Sequence, residues 1–346
     1  MSTAVRLGII GPGLMWKRRH EPVLAPLHAS FTISAFCASS ERSHAEIAHK
    51  YPGTPFVTDY RAFVQRTDVD AVVVLTPIPL NAPVALAALQ AGKDVLLEKP
   101  MACTLEEAQT LVQGASRTGK RLWVLEQDAY DTRWCILRDL IHSGEIGDVV
   151  TYDLMMHLPL DADQNDAGGY GRTNWRRKPD FPLGTLFDGG HHQIAMLSTL
   201  FGTPQWVFAS GVSLRPEFGE FDHVLIQFGY AGHLRGTFSH SGVLRPGHNH
   251  FTITGTKGLI TVDRVGATVD YTNGTKRVIP LTPVSLAIRH GLMSELAHEM
   301  MWQAFAHAYA EGREPDYPPA DAVRDLSILL AIARSARKGE RIMIGN

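Results

Sequence analysis

Short apolar runs alternate with longer segments of mixed polarity over the first third of the chain. The runs are Val5–Ile10, Ala71–Leu75, Val95–Leu97 and Leu122–Leu125, and Phe31–Cys37 alternates in the way of a further strand. Such runs, bounded by glycine and polar residues, are typical of strands buried in a parallel sheet. The segments between them, such as His44–Lys50, carry helical patterns, and this alternation predicts a doubly wound sheet. We therefore predict an α/β Rossmann domain with a parallel sheet over residues 1–125.

The pattern changes in the second half of the chain, where strand-like runs follow one another without helices between them. These runs are Val207–Ser213, His223–Phe228, Leu234–Ser239, Phe251–Thr254 and Leu259–Val262. Consecutive strands separated by turns favour an antiparallel sheet. Ala320–Lys338 has apolar residues at helical spacing, which predicts a helix that packs in the core. We assign residues 126–346 to a second domain.

Composition excludes several classes of partner and site. The chain has 346 residues, with 33 Lys and Arg against 35 Asp and Glu, so we expect neither nucleic acid nor a membrane as partner. Cys37, Cys103 and Cys135 lie far apart, and neither a signal peptide nor a membrane-spanning run is apparent, so we expect a cytoplasmic protein. His248-Asn249-His250 has no acidic or cysteine ligand at suitable spacing, so we expect no metal site.

The first strand leads into a glycine turn. Glycines at such a turn let the backbone approach a pyrophosphate, which the following helix start then binds. The usual third glycine is replaced by Trp16, and Gly-x-Gly alone is a weak signal because any tight strand-to-helix turn favours glycine. We expect this turn to bind the pyrophosphate of a dinucleotide cofactor. The residues that we expect to contact it are Gly11, Pro12, Gly13, Leu14 and Met15.

The end of the second strand bears on the choice between NAD and NADP. An acidic residue at this position binds the ribose hydroxyls of NAD. Here Cys37 and Ala38 are followed by Ser39, Ser40 and Arg42, a set better suited to a ribose phosphate. We therefore favour NADP over NAD, while Ser39 and Ser40 could equally serve only to cap the next helix.

The polar triplet Glu98-Lys99-Pro100 follows the apolar run Val95–Leu97 and would lie at the carboxyl end of its strand. Ligands of open α/β sheets bind along that edge, so Lys99 is a candidate for proton transfer, and the alternative is a solvated lysine. Thr76-Pro77 ends the neighbouring strand, with Asn81 following. We expect the cofactor to contact Thr76, Pro77, Asn81, Glu98 and Lys99.

Asp188 and His192 are the candidate catalytic residues of the second half. They lie four residues apart at a predicted helix start, so both can face one pocket. The alternative is that Asp188 only caps the helix and His192 packs against a neighbour. Trp175 and Arg176, in the long connection from Asp161 to Leu183, could bind a sugar ring and its hydroxyls, or form part of a solvated basic run.

Eight segments, taken together, resemble the Gfo/Idh/MocA family (glucose-fructose oxidoreductase and inositol dehydrogenase-like) of NAD(P)-dependent oxidoreductases. They occur in the family's order over nearly the whole chain, although each is modest alone. They are Gly8-Ile9-Ile10-Gly11-Pro12-Gly13, Asp70–Val74 with Thr76-Pro77, Glu98-Lys99-Pro100, Ser143–Gly147, Asn174-Trp175-Arg176, Asp188–His192, Gly255–Gly258 and Gly312–Pro315.

The resemblance implies a second α/β domain with a large, mainly antiparallel open sheet that binds substrate and assembles the protein as a homodimer or homotetramer. It implies hydride transfer between nicotinamide and a carbinol or carbonyl carbon of a sugar, cyclitol or related polyol. Lys99 matches the family's essential lysine, and Asp188 and His192 match its acidic and histidine partners. We add Gln127 to the substrate-binding residues. Trp16, Asn81, Ala129 and Ala195 depart from the family pattern.

Two other functions are compatible with these residues. One is a regulatory protein that senses the dinucleotide without chemistry. The other is a redox-assisted enzyme that cleaves a glycoside with no net cofactor turnover.

Overall fold

The computed structural model describes residues 4–160, 169–263, 266–281 and 293–345. The chain forms two compact units: residues 1–130 with 294–326 (the first unit), and residues 131–293 with 327–346 (the second unit). The predicted boundary at residue 125 placed 294–326 in the second domain. This segment groups with the first unit because Trp302 and Tyr309 pack against Phe31 and Trp123, at ring-centroid distances of 5.5 and 4.7 Å.

The first unit contains a six-stranded sheet in the order β3-β2-β1-β4-β5-β6, with all pairs parallel. Its strands are β1 (Val5–Ile10), β2 (Phe31–Cys37), β3 (Phe56–Val57), β4 (Ala71–Val74), β5 (Asp94–Glu98) and β6 (Leu122–Leu125). The predicted doubly wound sheet is confirmed. Strand order reverses between β1 and β4, and such switch points are where these sheets bind ligands.

Local sequence sets the ends of several helices. The helices are α1 (Glu21–Leu24), α2 (Glu41–Lys50), α3 (Tyr60–Phe63), α4 (Ile78–Gln90), α5 (Leu105–Thr118), α6 (Thr132–His142), α7 (Asn174–Arg177), α8 (Thr185–Asp188), α9 (His191–Phe201), α10 (Met293–Glu311) and α11 (Pro319–Lys338). A capping box of Thr104 and Glu107 begins α5, and Gly119, at a φ of 64°, ends it. No helix in the described ranges is both long and apolar enough to cross a bilayer.

The second unit contains a nine-stranded sheet in the order β14-β13-β12-β11-β7-β10-β9-β8-β15. Its strands are β7 (Val149–His157), β8 (Trp206–Val212), β9 (His223–Gly229), β10 (Arg235–Ser241), β11 (His248–Gly255), β12 (Gly258–Val262), β13 (Gly266–Tyr271), β14 (Lys276–Pro280) and β15 (Ile342–Met343). Every described pair is antiparallel except β7 with β10, which confirms the predicted open, mainly antiparallel sheet.

Helix α9 packs on one face of this second sheet. The rings of Phe201, at the end of α9, and Tyr152, on β7, stack with centroids 4.6 Å apart. The other face carries Val212 and Leu225, both about half exposed. The sheet therefore anchors the helix on which His192 lies.

Candidate active site

Gly11 forms the turn at the carboxyl end of β1 and cannot be replaced without moving the backbone. Its φ is +81°, and a Cβ there would lie 2.7 Å from the carbonyl oxygen of Leu75. Its N–H donates to the carbonyl of Cys37 at 2.9 Å, which joins the ends of β1 and β2. Gly13 is exposed, and a Cβ there would have no neighbour closer than 3.9 Å. The turn thus fits the close approach of a diphosphate.

Trp16, which replaces the usual small third residue, packs away from this turn. It is fully buried, with its ring edge-on to Phe36 at a centroid distance of 5.8 Å. Residues 16–20 form a π-helical turn, in which the N–H of Glu21 donates to the carbonyl of Trp16. A π turn holds one residue more than an α turn, so the segment after the glycine turn is one residue longer than a regular helical turn would be. Of the other predicted turn residues, Pro12 is buried, whereas Leu14 and Met15 are partly exposed.

The residues after β2 are exposed, and one of them caps a helix. The Oγ of Ser40 accepts the N–H of Ser43 at 3.1 Å, so Ser40 has the capping role that the sequence left open; Ser39 is exposed. Arg42 pairs with Glu46 at 3.1 Å, and Lys17 also binds Glu46. These two cations lower the pKa of Glu46.

Cys37 contributes no negative charge at the end of β2. Burial, with a smaller contribution from Asp59, raises the pKa of its thiol to about 12. The thiol is therefore protonated at neutral pH. An anionic group bound next to it would meet no thiolate.

Lys99 follows β5 directly and is buried, with 8% of its surface exposed. The solvated-lysine alternative is therefore excluded. Lysines are rarely buried without a structural or functional partner, which makes this one a candidate site residue.

Asn81 holds the backbone on both sides of Lys99. Its Nδ2 donates to the carbonyl oxygens of Glu98 (3.0 Å) and Pro100 (2.9 Å), and its Oδ1 accepts from Thr76 Oγ1 at 2.8 Å. The side chain is fully buried. These contacts support positioning of Lys99 as the role of Asn81, whereas the sequence had suggested direct contact with the cofactor. Pro77, the N-cap of α4, is partly exposed beside it.

Glu98 is buried and connects Lys99 to a histidine that the sequence did not single out. One carboxylate oxygen accepts the N–H of Lys99 at 2.9 Å, and the other lies 3.1 Å from His20 Nε2. The Nε1–H of Trp302 donates to His20 Nδ1 at 3.1 Å. A single sequence offers no signal for this arrangement, because His20 ends a basic run and Trp302 lies in a helix distant along the chain.

Gln127 lies just beyond β6, the strand next to β5. Leu125 pairs in register with Glu98, so the two strand ends that carry Lys99 and Gln127 are adjacent. Gln127 is buried and its Nε2 donates to Asp128 Oδ1 at 3.0 Å.

In the second unit, Asp188 and Arg176 form a buried ion pair. Arg176 Nε lies 2.5 Å from Asp188 Oδ2, and the two side chains are 9% and 10% exposed. The guanidinium also lies over the rings of Trp175 and Tyr170, at 4.0 and 5.1 Å from their centroids. The predicted substrate-binding Arg176 thus contacts the predicted catalytic Asp188. Residues 161–168, the first part of the connection that carries Arg176, lie outside the described residues.

Two glycines separate Asp188, the last residue of α8, from His191, the first residue of α9. Gly189 and Gly190 both have right-handed helical backbone angles, and a Cβ on Gly190 would lie 2.7 Å from the carbonyl oxygen of Leu186. His191 is fully buried, whereas His192 is partly exposed. The predicted helix thus begins after Asp188, and that Asp188 and His192 face one pocket stays a prediction.

Helix α8 rests against a neutral histidine. Thr185 Oγ1 lies 3.4 Å from His240 Nε2 on β10. Burial lowers the pKa of His240 to about 3, so its imidazole carries no charge at neutral pH. His240 therefore adds no charge beside α8, at whose end Asp188 pairs with Arg176.

Two groups of predicted site residues are thus assembled, one in each unit. The first unit holds the glycine turn, Asn81, Glu98 and Lys99, and the second holds Arg176, Asp188 and His192. That Lys99 and His192 meet at one substrate stays a prediction. A buried amine, a carboxylate and an imidazole are groups suited to proton transfer.

Family models match both units. The model of an oxidoreductase family with an NAD-binding Rossmann fold matches residues 5–126, and that of the GFO/IDH/MocA C-terminal domain matches residues 135–261. Together they cover well over half of the chain.

Two relatives with known names are dehydrogenases. The chain is 30% identical over 227 residues to scyllo-inositol 2-dehydrogenase (NADP+) of Bacillus subtilis, covering 65% of this chain but only 60% of that protein's length. It is 27% identical over 285 residues to trans-1,2-dihydrobenzene-1,2-diol dehydrogenase of Mus musculus, covering 80% of each.

A solved structure, that of an oxidoreductase from Thermotoga maritima, is 29% identical and has a TM-score of 0.85, covering 99% of this chain and 98% of the other. The chain therefore belongs to the Gfo/Idh/MocA family of oxidoreductases, as its motifs predicted.

Proposed function

We propose that this protein is an NAD(P)-dependent oxidoreductase that acts on a carbinol or carbonyl carbon of a sugar, cyclitol or related polyol. The observation that carries the proposal is the buried Lys99 at the carboxyl end of β5, in the same sheet as a turn at Gly11 that only glycine can form. The named relatives that act on a cyclitol and on a cyclic diol support this substrate class.

In this proposal each group has a separate task. The turn residues Gly11 to Met15, with Thr76 and Pro77, hold the dinucleotide, which when bound supplies the hydride acceptor or donor. Lys99 and His192 transfer the proton at the substrate oxygen, so that in oxidation the hydroxyl loses its proton as the carbon loses hydride. Asp188 orients His192, and Trp175, Arg176 and Gln127 bind the substrate.

The proposal is tested by a redox screen. Purified protein is mixed with NAD+ or NADP+ and a panel of sugars, cyclitols and polyols, and with the reduced cofactors and the corresponding ketones. We expect time-dependent formation or loss of reduced-nicotinamide absorbance with at least one member of the panel.

Two outcomes would contradict the proposal. Tight dinucleotide binding without redox change on any compound would favour a sensor, and glycoside cleavage without net cofactor turnover would favour the redox-assisted glycoside-cleaving enzyme. Product analysis by mass spectrometry separates the three cases.

We also propose a preference for NADP over NAD. No acidic residue ends β2, the thiol of Cys37 is neutral, and Arg42 and Lys17 share a single carboxylate, that of Glu46. A ribose phosphate bound here would gain the cations of Arg42 and Lys17, against the carboxylate of Glu46 and that of Asp59, which acts on Cys37. The Bacillus subtilis relative is named as an NADP enzyme, which supports the same choice.

Replacing Arg42 with alanine is expected to raise the KM for NADP by about 10- to 100-fold, which corresponds to the ~1.5–3 kcal/mol of a charged hydrogen bond. The KM for NAD should hardly change. Arg117→Ala, at an exposed position near the end of α5, is the control. Equal loss with both cofactors would show that Arg42 does not contact the ribose phosphate.

A further inference from the structure

A chain of three buried side chains leads to the backbone of Lys99. Trp302 Nε1 contacts His20 Nδ1 at 3.1 Å, and His20 Nε2 contacts Glu98 Oε1 at 3.1 Å. The other carboxylate oxygen, Glu98 Oε2, contacts the backbone nitrogen of Lys99 at 2.9 Å. His20 and Trp302 have no exposed surface, and Glu98 is 5% exposed. All four residues belong to the first unit.

Donors and acceptors fix the direction of every bond in this chain. The indole Nε1–H is only a donor, so His20 Nδ1 must accept. A neutral imidazole then carries its proton on Nε2 and donates it to Glu98 Oε1. The Lys99 N–H can only donate, so Glu98 Oε2 accepts. Trp302 therefore selects the tautomer of His20 that orients the carboxylate of Glu98.

Side chains thus hold two peptide groups around Lys99: the one between residues 98 and 99, through both its carbonyl and its N–H, and the one between residues 100 and 101, through its carbonyl. Asn81 binds the carbonyls of Glu98 and Pro100, and Glu98 binds the N–H of Lys99. The position of the Glu98 carboxylate depends in turn on His20. His20 ends the π-helical turn that follows the glycine turn, so it links the predicted cofactor-binding segment to the predicted catalytic lysine.

We infer that His20 is a positioning residue for Lys99, acting through Glu98 and held in one tautomer by Trp302. This inference rests on the proposed function insofar as Lys99 takes part in the reaction. Its structural part, that His20 holds the Lys99 backbone through Glu98, is independent of catalysis and can be tested without turnover.

Two amide substitutions at position 20 separate the donor of His20 from its bulk. In His20→Gln the side-chain nitrogen lies about where Nε2 lay, so a donor toward Glu98 is kept. In His20→Asn the shorter amide can still accept from Trp302 but no longer reaches Glu98. His49→Asn, on an exposed position of α2, is the control.

The first measurement is hydrogen exchange of the Lys99 amide, followed by NMR in the protein without substrate. We expect the Lys99 amide to exchange about tenfold faster or more in His20→Asn, because the Glu98 carboxylate that accepts its hydrogen bond is no longer held. His20→Gln and His49→Asn should exchange at close to the wild-type rate. Unchanged exchange in His20→Asn would overturn the inference, whatever the protein's activity.

The second measurement is steady-state kinetics on a substrate found in the redox screen. We expect kcat to fall about 10- to 100-fold in His20→Asn, since a misplacement of about 1 Å costs rates of this order. Dinucleotide affinity should stay close to wild type, and His20→Gln should recover most of the turnover. Equal losses in the Gln and Asn variants would show that His20 acts only by packing.

Trp302→Phe serves if His20→Asn does not fold, because it keeps a buried aromatic ring, although a smaller one, and removes the N–H donor that sets the tautomer. We expect intermediate effects on Lys99 exchange and on kcat. Wild-type values for both would contradict the role of the tautomer. If the wild-type protein proves inactive in the screen while the exchange result holds, the proposed function fails and the positioning role stands.

Discussion

Lys99→Met is expected to lower turnover by about 10²- to 10⁴-fold, the range that one proton-transfer group contributes. Methionine is unbranched, apolar and adaptable, so it can fill the buried space of the lysine stem while removing the amine. The fold and the glycine turn should remain intact. Cofactor affinity, measured by titration, should therefore change little while kcat falls.

Lys120→Met is the matched control, because Lys120 lies in the turn before β6 and thus at the opposite ends of the strands. It should retain full turnover. A Lys99→Met enzyme with near-normal kcat would remove Lys99 from the mechanism. A loss of cofactor binding in parallel with kcat would instead make the lysine a binding group.

The sequence predicted the first sheet and the place of Lys99 well, for a clear physical reason. Buried strands of a parallel sheet are rich in apolar residues, and Val5–Ile10, Phe31–Cys37 and Leu122–Leu125 appear in the structure with the predicted bounds. A polar triplet after such a run marks the carboxyl end of a strand. That end is where parallel sheets bind ligands, so the position of Lys99 followed from pattern alone.

The environment of Lys99 could not be predicted in the same way. A polar residue after a strand, such as Asn81, looks like a ligand contact whether its amide faces a ligand or the backbone. The partners of His20 come from β5 and from α10, the latter 282 residues away along the chain. Contacts over such separations depend on how helices return to a sheet, and this leaves no periodic signal.

The second sheet shows a related limit. The five predicted strands are present, but β7, β13, β14 and β15 were not predicted. In β7 the buried residues Tyr152 and Leu154 alternate with more exposed ones, which is the pattern of a strand with one covered face. Its pairing is also mixed, antiparallel to β11 and parallel to β10. Local alternation shows that a segment is a strand but does not identify its neighbours.

Breaking the Arg176–Asp188 pair is expected to destabilise the second unit by about 3–5 kcal/mol, because either single substitution leaves an uncompensated buried charge. Arg176→Met and Asp188→Leu should each lower the free energy of unfolding in urea by about this amount. Arg337→Met, which removes a more exposed partner of Glu220, should change stability little and is the control.

The double variant Arg176→Met/Asp188→Leu separates structure from chemistry. Two apolar side chains in place of a buried ion pair are often neutral or even stabilising, so the double variant should regain most of the lost stability. It should stay as inactive as Asp188→Leu, because the carboxylate proposed to orient His192 is still missing. If turnover returned together with stability, the pair would only support the fold, and Asp188 would have no part in the reaction.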